Sequence, residues 1–227
     1  MILSIARHGQ PAIGDLPPGA DHQLPPGDVP LTALGRKQAA YLGEFLKARN
    51  FNGTIISSPY ARTAETASVV CSVLGKKFYL EPGLQEMRFY PDPPAGMRLE
   101  EIRAIYDEVA PDAELTFPWV RQGGAETLFD YKTRFDAFVD QLIEKYKDCE
   151  ELLCFGHGAS LQSMKWNMFQ RSNFVGPDQY NWNCSLSDFE ILPGGKARII
   201  ALGQHHFMPE NETTSNLCNY GDPRCIA

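Results

Sequence analysis

The chain predicts an α/β domain, a three-layer helix–sheet–helix sandwich whose sheet is mostly parallel. Three observations predict it. Strand-like and helix-like segments alternate along most of the 227 residues, the pattern of a sheet covered by helices on both faces. Two strand-like segments, Ile2–Ala6 and Leu152–Phe155, are nearly continuous apolar runs, as strands buried on both faces require. Each of these runs ends on a glycine-flanked histidine, Arg7-His8-Gly9 and Gly156-His157-Gly158. Ligands of open α/β sheets sit beyond the carboxyl ends of the strands, so both histidines are expected to face one crevice.

The elements follow in order. After the first strand, Pro11 to Pro30 holds six prolines and three glycines and is expected to be loop. A helix follows with Thr32 as its N-cap and Leu34, Tyr41, Leu42, Phe45 and Leu46 on its inner face. Thr54–Ser57 is a strand, and Pro59 opens a helix with Ala64, Ala67, Cys71 and Leu74 as its stripe. Lys77–Leu80 is a short third strand, with Leu84–Met87 in the loop after it. Phe89–Gly124 differs in character, with five prolines, five aromatics and one amphipathic helix on Leu99, Ile102, Tyr106 and Val109. It reads as an insertion (about 88–124) that covers the site rather than as part of the sheet. Glu126–Tyr146 is a long helix with Leu128, Phe135, Phe138, Val139, Leu142 and Tyr146 inward. The strand before His157, a helix over Ser160–Phe169, and an antiparallel hairpin of Ser187–Leu192 and Ala197–Leu202 complete the domain. The tail, about 203–227, has no periodicity, and residues 1–227 are read as one domain.

Composition limits the function. Hydrophobic residues make up 43 %, enough for a full core, and the net charge of −7 argues against nucleic-acid and membrane-surface partners. No signal peptide or membrane-length run is visible. The six cysteines show no metal-binding spacing, so neither a metal nor a cofactor is expected, and the predicted setting is cytoplasmic. A sheet edge offers a place for two copies to pair as a homodimer.

Four elements carry chemistry. Arg7 and His8 stand at a strand end; their alternative role is an arginine paired with a carboxylate and a histidine bonded to backbone. Arg62 falls in the first turn of a helix, where a cation is disfavoured unless an anion is held there as well. Its alternative partner is Glu65, three residues on, in the weaker orientation for an ion pair. His157 stands between glycines, and Gly158 lets the backbone approach a ligand closely. Glu86, in Leu84-Gln85-Glu86-Met87, is a candidate proton donor by position alone, and otherwise a solvated loop charge. Gln10 is equally a donor to phosphate and a solvated amide. His22, His205 and His206 read as surface or tail residues.

Taken together, the chain resembles the histidine phosphatase superfamily, which includes cofactor-dependent phosphoglycerate mutases. The resemblance rests on Arg7-His8-Gly9; Pro30-Leu31-Thr32 with Gly35 and Gln38-Ala39; Ser57-Ser58-Pro59 with Arg62-Thr63 and Thr66-Ala67; Leu84-Gln85-Glu86; Glu126-Thr127; and Gly156-His157-Gly158, in that order. It implies phosphoryl transfer through a phosphohistidine, without a metal. His8 would be the nucleophile, Arg7 and Arg62 would clamp the phosphoryl oxygens, and His157 would donate to the same group. Glu86 would protonate the leaving alcohol and then take a proton from water. The substrate would be a small phosphorylated molecule, bound through Arg7, Gln10, Arg62, His157 and Gly158. Mutases of this kind commonly carry an asparagine several residues after the first motif, where this chain has Ala12, Ile13 and Gly14. The stretch Met87–Gly124 has four arginines against seven acids. Both departures favour a phosphomonoesterase over a mutase-like phosphotransferase, the alternative; a non-catalytic phospho-ligand binder is the third reading.

Overall fold

A computed structural model describes residues 1–12, 28–88, 96–120, 124–215 and 218–219. Eight strands and five α-helices are formed among them: β1 (Ile2–Arg7), α1 (Ala33–Ala48), β2 (Thr54–Ser57), α2 (Ala61–Leu74), β3 (Tyr79–Leu80), α3 (Leu99–Ile105), α4 (Leu128–Lys145), β4 (Glu151–Gly156), α5 (Gly158–Ser172), β5 (Leu186–Ile191), β6 (Ala197–Gln204), β7 (Thr214–Ser215) and β8 (Cys218–Asn219). Six strands form one sheet in the order β3-β2-β4-β1-β5-β6. β1, β2, β3 and β4 pair in parallel, whereas β5 runs antiparallel to both β1 and β6.

Alternation along the central strands builds two cores. Leu3 and Ile5 of β1 and Leu152 and Cys154 of β4 pack with Phe135, Val139, Leu161 and Met164 of α4 and α5. The residues between them, Ala6, Leu153 and Phe155, pack on the other face with Leu42, Leu46, Ala64, Ala67 and Val70 of α1 and α2. β1 therefore leads into a helix on one face and its neighbour β4 into a helix on the other. A crevice opens between neighbouring strands whose connections diverge in this way.

Local chemistry agrees with most of the expected boundaries. The Thr32 hydroxyl accepts the Gly35 N–H at 2.9 Å as N-cap of α1. The turn after β1 packs against that first turn so closely that a Cβ on Gly9 would stand 2.5 Å from the Gly35 carbonyl oxygen. A Cβ on Gly35 would stand 2.3 Å from the Gln10 carbonyl oxygen, so glycine is needed on both sides.

Three expectations are corrected. Leu128 is 74 % exposed, and Tyr131 takes the inner place on α4. Leu128 follows directly on a polar capping box, in which Thr127 and Asp130 close the first turn, and the buried face begins only with Tyr131. α3 stops at Ile105, so Tyr106 and Val109 lie beyond the helix, although both are buried. Among the described residues the insertion gives no strand to the six-stranded sheet; it touches the chain just before β3, where the Phe78 N–H donates to the Glu108 carbonyl and the Ala110 N–H to that of Phe78, both at 2.9 Å. The tail, finally, is not irregular throughout its described residues. Met208, Thr213, Thr214 and Ser215 are buried, and β7 pairs with β8. Most of the proline-rich loop (13–27) and with it His22, together with 89–95, 121–123 and the last residues, lie outside the described residues.

Candidate active site

Parallel register sets the floor of the site. Arg7 of β1 lies opposite Gly156 of β4, and the His8 N–H donates to the Gly156 carbonyl at 3.0 Å. His8 and His157 are thereby brought side by side, with ring centroids 5.4 Å apart. Both are buried, at 2 % and 0 % exposure.

The tautomer of His8 follows from one contact. Its Nδ1 is 2.7 Å from the Gly9 carbonyl oxygen, which can only accept. Nδ1 must carry the hydrogen, which leaves the lone pair on Nε2. Burial first, then Arg62 and Arg7, holds His8 well below the ordinary histidine range. Burial, Arg62, His8 and Arg7 do the same to His157. Neutral imidazoles are thus favoured at the point where two guanidinium groups act together. The His157 Nε2 is 2.9 Å from the Ser58 hydroxyl, and its backbone N–H donates to Ser160 Oγ at 2.7 Å as α5 begins.

The two arginines are held differently. Arg7 is buried and donates through Nη1 to the Asn181 carbonyl at 2.6 Å. Burial works against its charge, while Glu86 and Tyr180 support it. Arg62 stands in the first turn of α2 with its guanidinium 5.0 Å above the Tyr60 ring and Nη1 4.0 Å from Asp28 Oδ1. Glu65, the partner weighed from the sequence, is engaged elsewhere. It accepts from the Leu31 N–H at 2.7 Å and from Arg36 Nε at 2.6 Å.

Glu86 reaches the site from the loop after β3. Its Oε1 accepts the Met87 N–H at 2.9 Å and the Ala159 N–H, in the first turn of α5, at 3.1 Å. A Cβ on Gly158 would lie 3.7 Å from Arg7 Nη2 and 3.8 Å from Glu86 Oε2. A side chain there would therefore enter the space between these two groups. Arg7, His8, Arg62, Glu86, His157 and Gly158 thus meet at one place. Gln10 is tied to α1 instead: its side-chain Oε1 accepts the Thr32 hydroxyl at 2.8 Å, and its backbone N–H donates to Gln38 Oε1 at 2.9 Å.

Several contributors have no role in the sequence reading. Ser58 lies in the Ser57-Ser58-Pro59 motif but shows its role only through His157. Asn183 donates to the His8 carbonyl at 3.0 Å and takes the Thr214 hydroxyl at 3.2 Å, and Gln38 donates to Thr214 Oγ1 at 2.8 Å. No periodicity marks the stretch that carries Asn181 and Asn183. Glu126 accepts from the Arg88 N–H at 3.1 Å and from Arg134 Nε at 2.5 Å, while Arg134 donates to the Glu86 carbonyl at 3.4 Å. The carboxylate of a weak two-letter motif therefore steadies the loop that presents Glu86. His205 is half-buried, and His206 meets the Phe45 ring edge-on.

The family model of the Histidine phosphatase superfamily (branch 1) matches residues 3–202. The probable phosphoglycerate mutase GpmB of Yersinia enterocolitica is 26 % identical over 178 residues, covering 73 % of this chain and 76 % of that protein. The transcription factor tau 55 kDa subunit of Saccharomyces cerevisiae is 27 % identical over 209 residues, 84 % of this chain. The match spans only 47 % of the yeast protein's length. Among solved structures, the ecdysone phosphate phosphatase from Bombix mori in complex with tungstate superposes with a TM-score of 0.70 at 20 % identity, over 100 % of this chain and 99 % of that one.

Proposed function

The chain belongs to the histidine phosphatase superfamily, and from that premise we propose that it is a phosphomonoester hydrolase of the histidine acid phosphatase type, acting on a small phosphorylated metabolite. His8 Nε2 attacks phosphorus as the bond to the leaving oxygen breaks. Positive charge develops on the ring, and the Nδ1–H donated to the Gly9 carbonyl stabilises it. Arg7 and Arg62 neutralise the equatorial oxygens, a task suited to planar guanidinium groups. The Ser58 hydroxyl, donating to His157 Nε2, leaves the ring hydrogen on Nδ1, a buried donor for the phosphoryl group. Glu86 keeps Oε1 as acceptor for two backbone N–H groups and passes the proton from Oε2 to the leaving alkoxide. Water then attacks the phosphohistidine, Glu86 takes back a proton, and phosphate leaves.

The single observation that carries this reading is the Nδ1 contact of His8, which leaves a nucleophilic lone pair beside two arginines. The likeness to a phosphatase over the whole chain supports hydrolysis, and the acidic insertion supports water as acceptor. The described thiols of Cys71, Cys149, Cys154 and Cys184 are free, which supports a reducing, cytoplasmic setting. Among the described residues, no helix is long and apolar enough to cross a membrane.

The test is release of phosphate from an aryl phosphate and a panel of phosphorylated metabolites. His8→Ala is expected to lower turnover by about 10³-fold or more. Rapid quenching is expected to trap acid-labile, base-stable phosphate on the wild-type protein. Undiminished hydrolysis by His8→Ala would overturn the reading, and isomerisation of phosphoglycerates without net phosphate release would replace it with the mutase-like one.

A further inference from the structure

Behind Arg62 lies a carboxylate that the mechanism does not use. Asp28 is 3 % exposed, and its Oδ1 accepts the Ala61 N–H at 2.9 Å. The same oxygen is 4.0 Å from Arg62 Nη1, and Oδ2 is buried with no hydrogen-bond partner among the described residues. A carboxylate offers about four lone-pair sites, so this one is poorly satisfied for a buried charge. Among the described residues, the groups facing it are Arg62 and Tyr60 at the start of α2 and Tyr106 after α3, with the Glu65–Arg36 pair beyond Tyr106. Burial pushes the Tyr60 phenol up to about 12 and raises that of Tyr106, so both keep their protons. Burial also raises Asp28 to about 7, against the opposing pull of Arg62 and the Ala61 N–H. Asp28 therefore changes charge near neutrality. Its ionised form depends on the same guanidinium that would clamp the phosphoryl oxygens. An oxyanion on Arg62 weakens that support and adds a like charge nearby.

We propose that Asp28 is a positioning residue for Arg62 whose carboxylate takes up a proton when an oxyanion occupies the site and returns it when the anion leaves. The proposal rests on the reading of Arg62 as an anion clamp. The proton comes from solvent and forms an O–H bond at Oδ2; no other bond changes. Anion affinity then falls as pH rises above neutrality, which speeds release of phosphate there.

Sulfate is the probe, because it stays a dianion across the range and needs no turnover. Calorimetry at about pH 8 in buffers of different ionisation enthalpy is expected to show proton uptake on binding to the wild type. Affinity is expected to fall by up to about tenfold per pH unit above neutrality. Asp28→Asn keeps the acceptor for Ala61 but removes the charge, and is expected to abolish the uptake and flatten the pH dependence. Unchanged uptake in Asp28→Asn would overturn the proposal. Should that variant not fold, carbon NMR of the Asp28 carboxyl in the wild type decides: titration displaced upward by sulfate supports the proposal, and an unmoved titration overturns it. No sulfate binding at any pH would instead overturn the anion-clamp reading, and this proposal with it.

Discussion

The floor and the rim of the site are built by different means. The floor, Arg7-His8 and Gly156-His157-Gly158, consists of consecutive residues at the ends of two neighbouring strands. One parallel register, Arg7 opposite Gly156, sets the separation of the histidines. The rim is assembled from distant pieces: Glu86 from a loop, Asp28 from before α1, Asn181 and Asn183 from the segment before β5. Each rim group is aimed by hydrogen bonds of its own, such as Ala159 N–H to Glu86 and Asn183 to the His8 carbonyl. Backbone pairing places a group without regard to its side chain, whereas a rim group is placed only while its particular partners survive. The floor should therefore lose chemistry without losing shape, and the rim should lose both together.

Arg62 is carried by the backbone of α2 and so groups with the floor; Arg62→Ala is expected to give the largest contrast after His8, at about 10²- to 10³-fold in kcat by steady-state assay. α2 should persist, because a buried stripe of Ala64, Ala67, Val70 and Cys71 holds it. A loss of fold by circular dichroism would break the comparison. Glu86→Gln retains an acceptor for the two N–H groups but no transferable proton. Its expected cost is about 10²-fold or more on an alkyl phosphate. An aryl phosphate, whose leaving group needs little protonation, should lose much less; equal losses would deny Glu86 the acid role. Asn183→Ala is expected to cost on the order of tenfold in kcat together with a lower melting temperature, because it removes a buried link among His8, Thr214 and Gln38. A change in rate without a change in melting temperature would place Asn183 with the floor instead.

The smallest effect expected is on stability against pH. His8 and His157 are both held well below 6.5, so the unfolded chain takes up protons that the folded one refuses. Their contribution is present above the unfolded value and is lost as pH falls below it. Asp28, raised from 3.8 to about 7, works the other way, because the folded state gains its proton first. Urea midpoints from about pH 7 to about pH 5 should therefore fall less steeply in His8→Asn than in the wild type, and more steeply in Asp28→Asn.

Much of this protein was legible before its fold. Continuous apolar runs located the central strands and periodicity located the helices, because burial on both faces or on one face leaves a different pattern in the residues. Arg7, His8 and His157 were legible because a strand end followed by glycine is a local signal. Leu128 shows the limit of periodicity, which assigns a residue to a helix face but not to a neighbour for that face. Tyr106 and Val109 kept their burial although α3 ended before them, since the core selects apolar surface whatever the backbone conformation.

The amino-acid sequence by itself determined the layered α/β class, the two histidine turns and the cationic character of the site, all of which depend on residues close in sequence. Only the tertiary structure decided that Arg62 faces Asp28 and not Glu65, that Nδ1 of His8 is held by the Gly9 carbonyl, and that the tail steadies the His8 turn through Thr214 and Asn183. These depend on residues far apart along the chain. Their partnership is settled by which surfaces packing brings within hydrogen-bond reach, and no local pattern records that.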